Sequence, residues 1–433
     1  MISPYLTNIT PDSFSGLVFA FEGIKDTIVL LNGPTGCKFY HSATSDNQIL
    51  RQMEFDPLNY PELWYFGQPR VPCTYLDKKD YVYGSKEKLT EGIRYLKKNI
   101  TFDLMVVVNS PGEALIGDDL KRITEAELKG FPVVTVETPG YSRHVWEGYA
   151  NAGKAITEQL ILHTPKKEKK PGTRKKVNLL GLSIYQKFYE GDKNEWTRML
   201  NLCGIDVNCA LFCECTPEEI MNFQDADLNL VLNPSYGLEL AKYMEEKLGM
   251  PYLAPSALPV GFKATEQLMK EVCQFLHCDD SAFVTASEQA RARAYVHISR
   301  VNSLTGLPKG TKFAVQGTTA ECLGYTEFLI RYFGMVADSI ARIDPEGDTE
   351  ELQRLLKSAH MEGALEKDIL DTDAELVFAN GNTIAKLKAL RHEFSGVETA
   401  LPSLGYLDVM PKTHLGIKGA LLICEEILNG LMY

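Results

Sequence analysis

The feature that most restricts how this chain can fold is a unit that appears three times. Residues 102–141 (FDLMVVVNSPGEALIGDDLKRITEAELKGFPVVTVETPGY), 228–261 (LNLVLNPSYGLELAKYMEEKLGMPYLAPSALPVG) and 374–406 (AELVFANGNTIAKLKALRHEFSGVETALPSLGY) share one plan. Each runs from an apolar strand through an Asn-bearing turn into an amphipathic helix, then into a second strand ending in Pro and Gly. Apolar runs separated by helical periodicity are the pattern of parallel strands covered on both faces. The chain is therefore read as α/β, with three Rossmann-like domains, each a mainly parallel sheet flanked by helices.

At 433 residues the chain is too long for one core, since single cores seldom grow past about 250–300 residues. The stretch HTPKKEKKPGTRKKV (163–177) is charged and carries Pro and Gly, as a linker does, although its basic residues could also dock an acidic partner. The helix and turn of ASEQARARAYVHISRVNSLTGLPKG precede the new strand TKFAVQG. The domains are accordingly placed at 1–170, 171–290 and 291–433. A net charge of -12 argues against broad binding to nucleic acid or anionic membranes. The N-terminal MISPYLTNITPDSF has no basic region followed by an apolar core, and no apolar run approaches about 20 residues. The expectation is a soluble cytoplasmic protein with no nucleic-acid and no membrane partner.

In open α/β sheets ligands sit beyond the carboxyl ends of the strands, so chemistry is sought in those turns. They are Asn32 to Cys37, Asn109 to Gly112, Ser183 to Tyr185, Cys213 to Thr216, Asn233 to Tyr236, Gln316 to Thr319 and Asn380 to Asn382. The first, LLNGPTGCKFYHS (30–42), puts a thiol directly after a glycine-rich turn. Cys37 is either a small buried residue closing a strand-to-helix turn or a metal ligand at a close backbone approach. The 10 cysteines are scattered and no CxxC occurs, so a cluster would have to gather thiols distant in sequence or from two chains. GxGxxG, Walker, HExxH and GxSxG motifs are all missing, which leaves nicotinamide, nucleoside triphosphate, zinc-protease and hydrolase readings without support.

The succession GIKDTIVLLNGPTGCKFYHS, KKDYVYGSKEKL, DLMVVVNSPGEALIGDDL and FPVVTVETPGYS resembles the N-terminal domain of the nitrogenase component 1 family. The likeness continues through YMEEKLGMPYLAPSALPVGFKATEQL and LPSLGYLDVMPKTHLGIKGALLICEEILN. The resemblance implies three α/β domains and pairing about a two-fold axis, as a homodimer or a heterodimer with a related chain. It also implies an iron–sulfur cluster beneath the docking surface of a separate ATP-dependent iron protein. By the resemblance Cys37 is a cluster ligand. The family's other two thiols would fall near Pro11 and near Ser110 or Pro111, where no cysteine stands. Cys73 precedes the turn Tyr81 to Gly84, a segment expected near the cluster. Two chains each offering Cys37 and Cys73 would supply the four thiolates of a shared 4Fe-4S cluster. A chain short of ligands could instead be the partner that contributes little to it.

The resemblance further places Asn233 and Tyr406 at the positions that hold the molybdenum-iron cofactor, and neither is a customary ligand for it. No molybdenum-iron cofactor is expected. An organic substrate is expected in a cleft lined by Asn109, Asn233, Ser235, Tyr236, Gln316, Thr319, Asn380, Asn382 and Tyr406. Each Asn or Ser among these has an equally ordinary use as a turn or cap. The CxC of CALFCECTPEE adds Cys209, Cys213 and Cys215 at a strand end expected to face that cleft. They are candidate metal or redox thiols, with Thr216 and Glu219 as a capping box behind them. His41, four residues after Cys37, is a candidate proton relay or a packed helix residue. Cys273 and Cys424 are read as helix-face core. Three functions compete: a nitrogenase-like reductase component, a metallocluster assembly scaffold, and a non-catalytic partner subunit.

Overall fold

The computed structural model describes residues 11–34, 36, 71–137, 143–167, 172–390, 392–401, 403, 405 and 408–432. Cys37, His41 and Tyr406 lie outside these described residues. The described strands form three sheets, and every pairing within them is parallel. The first has the order β1 (Thr27–Asn32), β2 (Leu104–Asn109), β3 (Val133–Glu137). The second comprises β4 (Lys175–Leu180), β5 (Ile205–Ala210), β6 (Leu228–Val231) and β7 (Tyr252–Leu253), ordered β5-β4-β6-β7. The third comprises β8 (Lys312–Gly317), β9 (Val336–Arg342), β10 (Leu376–Asn380) and β11 (Ser395–Ala400), ordered β11-β10-β8-β9.

The second and third sheets therefore share one winding, in which the opening strand lies between the two that follow it. The first sheet completes the same scheme, because the segment around Cys73 pairs in parallel with Leu31 of β1. In such a winding the chain leaves in opposite directions on either side of the opening strand, and a crevice opens there at the carboxyl ends. These switch points are β1/β2, β4/β6 and β8/β10.

Every residue of β1 and β2 is buried, so neither strand shows alternation in its sequence. Ile28, Leu30, Met105 and Val107 face Leu89, Ile93 and Leu96 of the helix Lys86–Asn99 and Leu120 and Ile123 of the helix Leu120–Glu127. Val29, Leu31, Val106 and Val108 face the large core, which includes the helices Ser13–Glu22 and Val145–Gln159. Those two helices cross at glycines. A Cβ on Gly16 would lie 1.9 Å from the Val145 carbonyl oxygen, and one on Gly148 would lie 1.9 Å from that of Ser13. No side chain fits such an approach.

The first and second sheets are joined by the turn after β5. Phe212 and Glu214 adopt left-handed backbone there, with φ of 62° and 58°. The Glu214 N–H donates to the Gly23 carbonyl at 2.7 Å, and the Lys25 N–H donates to that of Cys215 at 2.7 Å. Cys209, Cys213 and Cys215 are all buried. The CxC turn is thus a packed joint against the first segment rather than the wall of an open cleft, and burial pushes the Cys213 thiol well up. Behind it Thr216 and Glu219 form the expected capping box.

The helix Ser281–Thr305 passes unbroken through the 290/291 limit and stops at Gly306, whose left-handed φ of 81° ends it. The C-terminal helix Gly416–Gly430 packs on the helices Tyr189–Leu202, Gly261–Leu276 and Ser281–Thr305, which returns the chain end to the second sheet. Cys273 and Cys424 are buried on these helices. Among the described residues no helix is long and apolar enough to cross a membrane.

Candidate functional site

At the first switch point the ends of β1 and β2 close over a polar knot. Asn32 and Asn109 are paired in register, and the Asn32 amide donates to Asn109 Oδ1 at 2.9 Å and to Ser85 Oγ at 3.1 Å. The Thr74 hydroxyl donates to Asn32 Oδ1 at 2.9 Å, while Ser85 donates its N–H and its hydroxyl to Asp118 Oδ2 at 2.6 and 3.0 Å. Glu113 is 1% exposed beside this knot, and among the described residues neither of its carboxyl oxygens has a hydrogen-bond partner. Burial pushes Glu113 up to about 7, and the charges of Asp118 and Asp80 act in the same direction. Ser85 and Asn32 lie close enough to soften that shift, but their hydrogens are committed elsewhere.

Cys73 is buried on the other side of β1, in register with Leu31. With Thr74, Tyr75 and the helix residues Lys88, Glu91 and Tyr95 it lines a pocket of about 410 Å³. Lys88 at its rim pairs with Asp80 at 2.6 Å and Asp77 at 3.2 Å. Among the described residues no three His, Cys, Asp or Glu side chains converge as a metal site. A four-iron cluster at this end would need Cys37 or a second chain in addition to Cys73.

The second and third switch points face one another. Asn233, beyond β6, caps the helix Pro234–Leu248 by accepting from the Ser235 N–H at 3.1 Å, and its amide crosses to Glu321 Oε1 at 3.1 Å. Glu321 also accepts from the Thr318 N–H at 2.8 Å, as the capping box of the helix Thr319–Phe333. Beyond β4, the Tyr185 hydroxyl donates to the Leu401 carbonyl at 2.7 Å, and Gln186 bridges Ala400. Burial raises Glu321, and burial with the Glu321 charge raises Tyr185 and Tyr236. Tyr236 meets Tyr149 edge-to-face at 5.8 Å, and the Tyr149 hydroxyl accepts from the Gly181 N–H at 2.8 Å.

Gln316 accepts from the Thr383 hydroxyl at 2.7 Å, and Asn380 accepts from the Thr383 N–H at 2.9 Å, so these two candidates span β8/β10. Thr319 instead serves Asp344, to which its N–H and hydroxyl donate at 2.7 and 2.8 Å. Ser235 and Thr319 line a pocket of about 420 Å³ with His144, Trp146 and Asp344, to which all three segments contribute. Asn382 keeps one buried oxygen without a partner among the described residues. Asn109 belongs to the first switch point, with Asn32, and not to this group.

Several residues that carry no motif in the sequence are central here. Lys187 is nearly buried between Glu398 at 3.4 Å and Asp408 at 3.2 Å, and Glu398 also accepts from the Ser403 hydroxyl and, at 3.0 Å, from the Gly405 N–H. Burial works against the Asp408 charge, but Lys412 and Lys187 hold its carboxyl below the ordinary value. Asp192 accepts from the Thr413 hydroxyl at 2.7 Å and the His414 and Leu415 N–H groups at 3.1 and 3.2 Å, and burial pushes it up to about 6. His414 stacks on Phe188 at 4.1 Å and joins Tyr325 at 2.8 Å to Glu426 at 2.9 Å. No local spacing signals the pairings of Lys187 with Glu398, Asp192 with Thr413 and His414 with Tyr325, since each joins residues far apart in sequence.

Three parallel sheets of like winding, with a polar first switch point and two facing ones, give an α/β fold, and its class is that of an oxidoreductase. The family model for nitrogenase component 1 type oxidoreductase matches residues 13–432, and the chain belongs to that family. It is 27% identical over 225 residues to a subunit of the light-independent protochlorophyllide reductase of Bradyrhizobium sp. (strain ORS 278), covering 51% of this chain and 43% of that one. It is 25% identical over 382 residues to the corresponding subunit from Rhodopseudomonas palustris (strain BisB5), covering 84% and 69%. The match thus spans less than half the length of the Bradyrhizobium relative. Among solved structures, nitrogenase Cp1 at pH 6.5 superposes with a TM-score of 0.79 over 98% of this chain and 93% of that one, at 18% identity. The chain is a nitrogenase-like oxidoreductase.

Proposed function

We propose that this subunit accepts electrons from an ATP-dependent iron protein through an iron–sulfur cluster shared between subunits. It then passes them to a conjugated organic substrate held where the second and third switch points face. The observation that carries this reading is family membership across residues 13–432. The relatives named as protochlorophyllide reductase subunits support an organic, tetrapyrrole-like substrate and a partner subunit. A bound cluster would supply one-electron transfer at low potential. Cys37 and Cys73 are the residues that would hold it, two from each chain across a two-fold axis. Asn233 is engaged as a helix cap and as the partner of Glu321, which supports a site without a molybdenum-iron cofactor. Tyr185, Tyr236 and Glu321 keep their protons under conditions where exposed counterparts lose them, and so suit proton donation in a water-poor cleft.

The shortage of thiols supports the partner-subunit form of this reading, in which a related chain brings the remaining ligands. The deciding experiment is anaerobic purification with any co-encoded partner, followed by iron and sulfide analysis. ATP-dependent oxidation of the iron protein is then followed by electron paramagnetic resonance. Iron near four per dimer and electron transfer only with ATP are the expected outcome. Transfer that proceeds equally well without ATP would sink the donor assignment, and stoichiometric molybdenum would favour a scaffold.

A further inference from the structure

Three thiols that the reductase reading leaves unused meet at the amino ends of the second sheet, on the side away from the crevice. Cys203 caps the helix Tyr189–Leu202 just before β5, Cys273 lies in the last turn of the helix Gly261–Leu276, and Cys278 follows that helix. The Cys203 and Cys273 thiols are hydrogen-bonded to each other, although they are far apart in sequence. Cys278 folds back beside them, its N–H donating to the Cys273 carbonyl at 2.9 Å and its thiol within reach of the Lys175 and Asp227 charges. Among the described residues no three His, Cys, Asp or Glu side chains converge as a metal site. The arrangement is that of a dithiol with a third thiol alongside.

The pair is shallow and unequal. Cys203 is 6% and Cys273 3% exposed, but Leu202 and Gly204 on either side of Cys203 are at the surface, and a Cβ on Gly204 would meet nothing within 4 Å. Arg174 pins this turn by donating to the Gly204 carbonyl at 3.1 Å. The hydrogen bond from Cys273 holds the Cys203 thiol below its ordinary value, against burial and the charges of Asp280 and Asp279. The same bond, with burial, pushes Cys273 up. A nucleophilic sulfur with a protonated thiol beside it is the chemistry of an oxidisable pair.

We propose that Cys203 and Cys273 form a reversible disulfide when the protein meets a small hydroperoxide, which makes this edge of the second sheet an oxidant-sensitive modification site. The Cys203 sulfur attacks an oxygen of the hydroperoxide, so an S–O bond forms and the O–O bond breaks. The alkoxide leaves as an alcohol, with the proton that the Cys203 thiol gave up. The Cys273 sulfur then attacks the Cys203 sulfur, the S–S bond forms, the S–O bond breaks, and the hydroxyl leaves with the Cys273 proton as water. Two thiols are oxidised and one hydroperoxide is reduced by two electrons. A small dithiol reverses the step by exchange. The bond joins the ends of two helices, the first of which carries Asp192 and Glu195, whose carboxyls hold Thr413, His414, Leu415 and Lys418. Its effect is therefore expected in stability.

The test exposes the full reduced chain to hydrogen peroxide, blocks the remaining thiols with N-ethylmaleimide and maps the peptides without reduction. A peptide pair joined through Cys203 and Cys273 is expected, about 2 Da lighter than the two thiol peptides together and separated by dithiothreitol. The bridge should form about tenfold or more faster in the folded chain than in chain unfolded by guanidinium, because the fold supplies the proximity. The melting temperature should rise on oxidation and fall back with dithiothreitol. Cys273→Ser should leave Cys203 as a sulfenic acid that dimedone labels, and Cys278→Ser should leave the bridge intact. Absence of the bridge in wild type overturns the proposal, as does a rate no faster than in the unfolded chain. A bridge from Cys203 to Cys278, or one confined to Cys209 and Cys215, which are also hydrogen-bonded to each other, overturns the pairing. None of these readouts depends on bound iron, so the outcome stands apart from the cluster reading.

Discussion

The first sheet closes its switch point with side chains of its own, whereas the second and third sheets turn theirs toward each other. Asn32, Asn109, Ser85, Thr74 and Asp118 satisfy one another within one segment. Asn233, Glu321, Tyr185 and the Leu401 carbonyl satisfy one another only across two. A self-contained knot keeps its shape when its neighbours shift, as a relay site requires. A shared one is remade by any movement between sheets, as a site that admits and releases a substrate requires.

The strongest way to sharpen that contrast is to disable one end alone. Cys37→Ser should abolish the chromophore and the iron of the purified complex while leaving its circular dichroism and melting temperature near those of wild type, and Cys73→Ser should weaken or convert the cluster. Retention of full iron and spectrum in Cys37→Ser would break the ligand assignment. Gly16→Ala comes next, because its Cβ meets backbone at 1.9 Å and cannot be relieved by a rotamer. We expect a loss of about 3 kcal/mol, read by chemical denaturation, with protease nicking confined to the first segment.

At the other end, Asn233→Ala leaves a buried oxygen of Glu321 without its donor and removes a helix cap. It should cost about 1–3 kcal/mol and lower substrate turnover, while the reduced-cluster signal is unchanged. A change in that signal would mean the two regions are not separable. A smaller effect is the pH dependence of stability. Asp192, at about 6, and Glu113, at about 7, hold their protons more tightly in the folded chain than in the unfolded one, where carboxyls titrate near about 4. The folded state therefore binds more protons between these values, so this stability is full below about pH 4 and is lost as pH rises through about 6 and about 7. Melting temperatures measured from pH 5 to 8 should fall less steeply in Asp192→Asn and in Glu113→Gln than in wild type. The least effect is expected from Cys424→Ala, a buried truncation on the C-terminal helix costing about 1 kcal/mol with no change in iron.

The three repeated units announce their strands because parallel strands buried on both faces must be apolar throughout, as in LMVVVN and TIVLLN. Their order in each sheet is not legible, since periodicity records which residues are covered and not which strand lies alongside. Sequence alone therefore groups Asn109 with Asn233: both follow an apolar strand, and only topology assigns them to different crevices. Glu113 sits in a stretch that the sequence does single out, yet its isolation depends on where Asn32 and Ser85 direct their hydrogens, and these are far away in sequence. Glu321 reads as a helix cap, which it is, and its second role needs Asn233. Cys213 and Cys215 read as chemistry because thiols at a strand end often are, whereas the structure buries both in a turn whose Glu214 N–H donates to the Gly23 carbonyl.

The glycine crossing of the helices Ser13–Glu22 and Val145–Gln159 bears on how the protein is made. The face of β1 and β2 that carries Leu31 and Val108 is covered by both helices, and one of them emerges from the ribosome long after the other. At the usual pace of synthesis that face stays half naked for on the order of ten seconds. During that interval an apolar parallel edge is open to the wrong partner, so a nascent chain of this kind gains from a holding chaperone until Gly148 arrives to seat against Ser13.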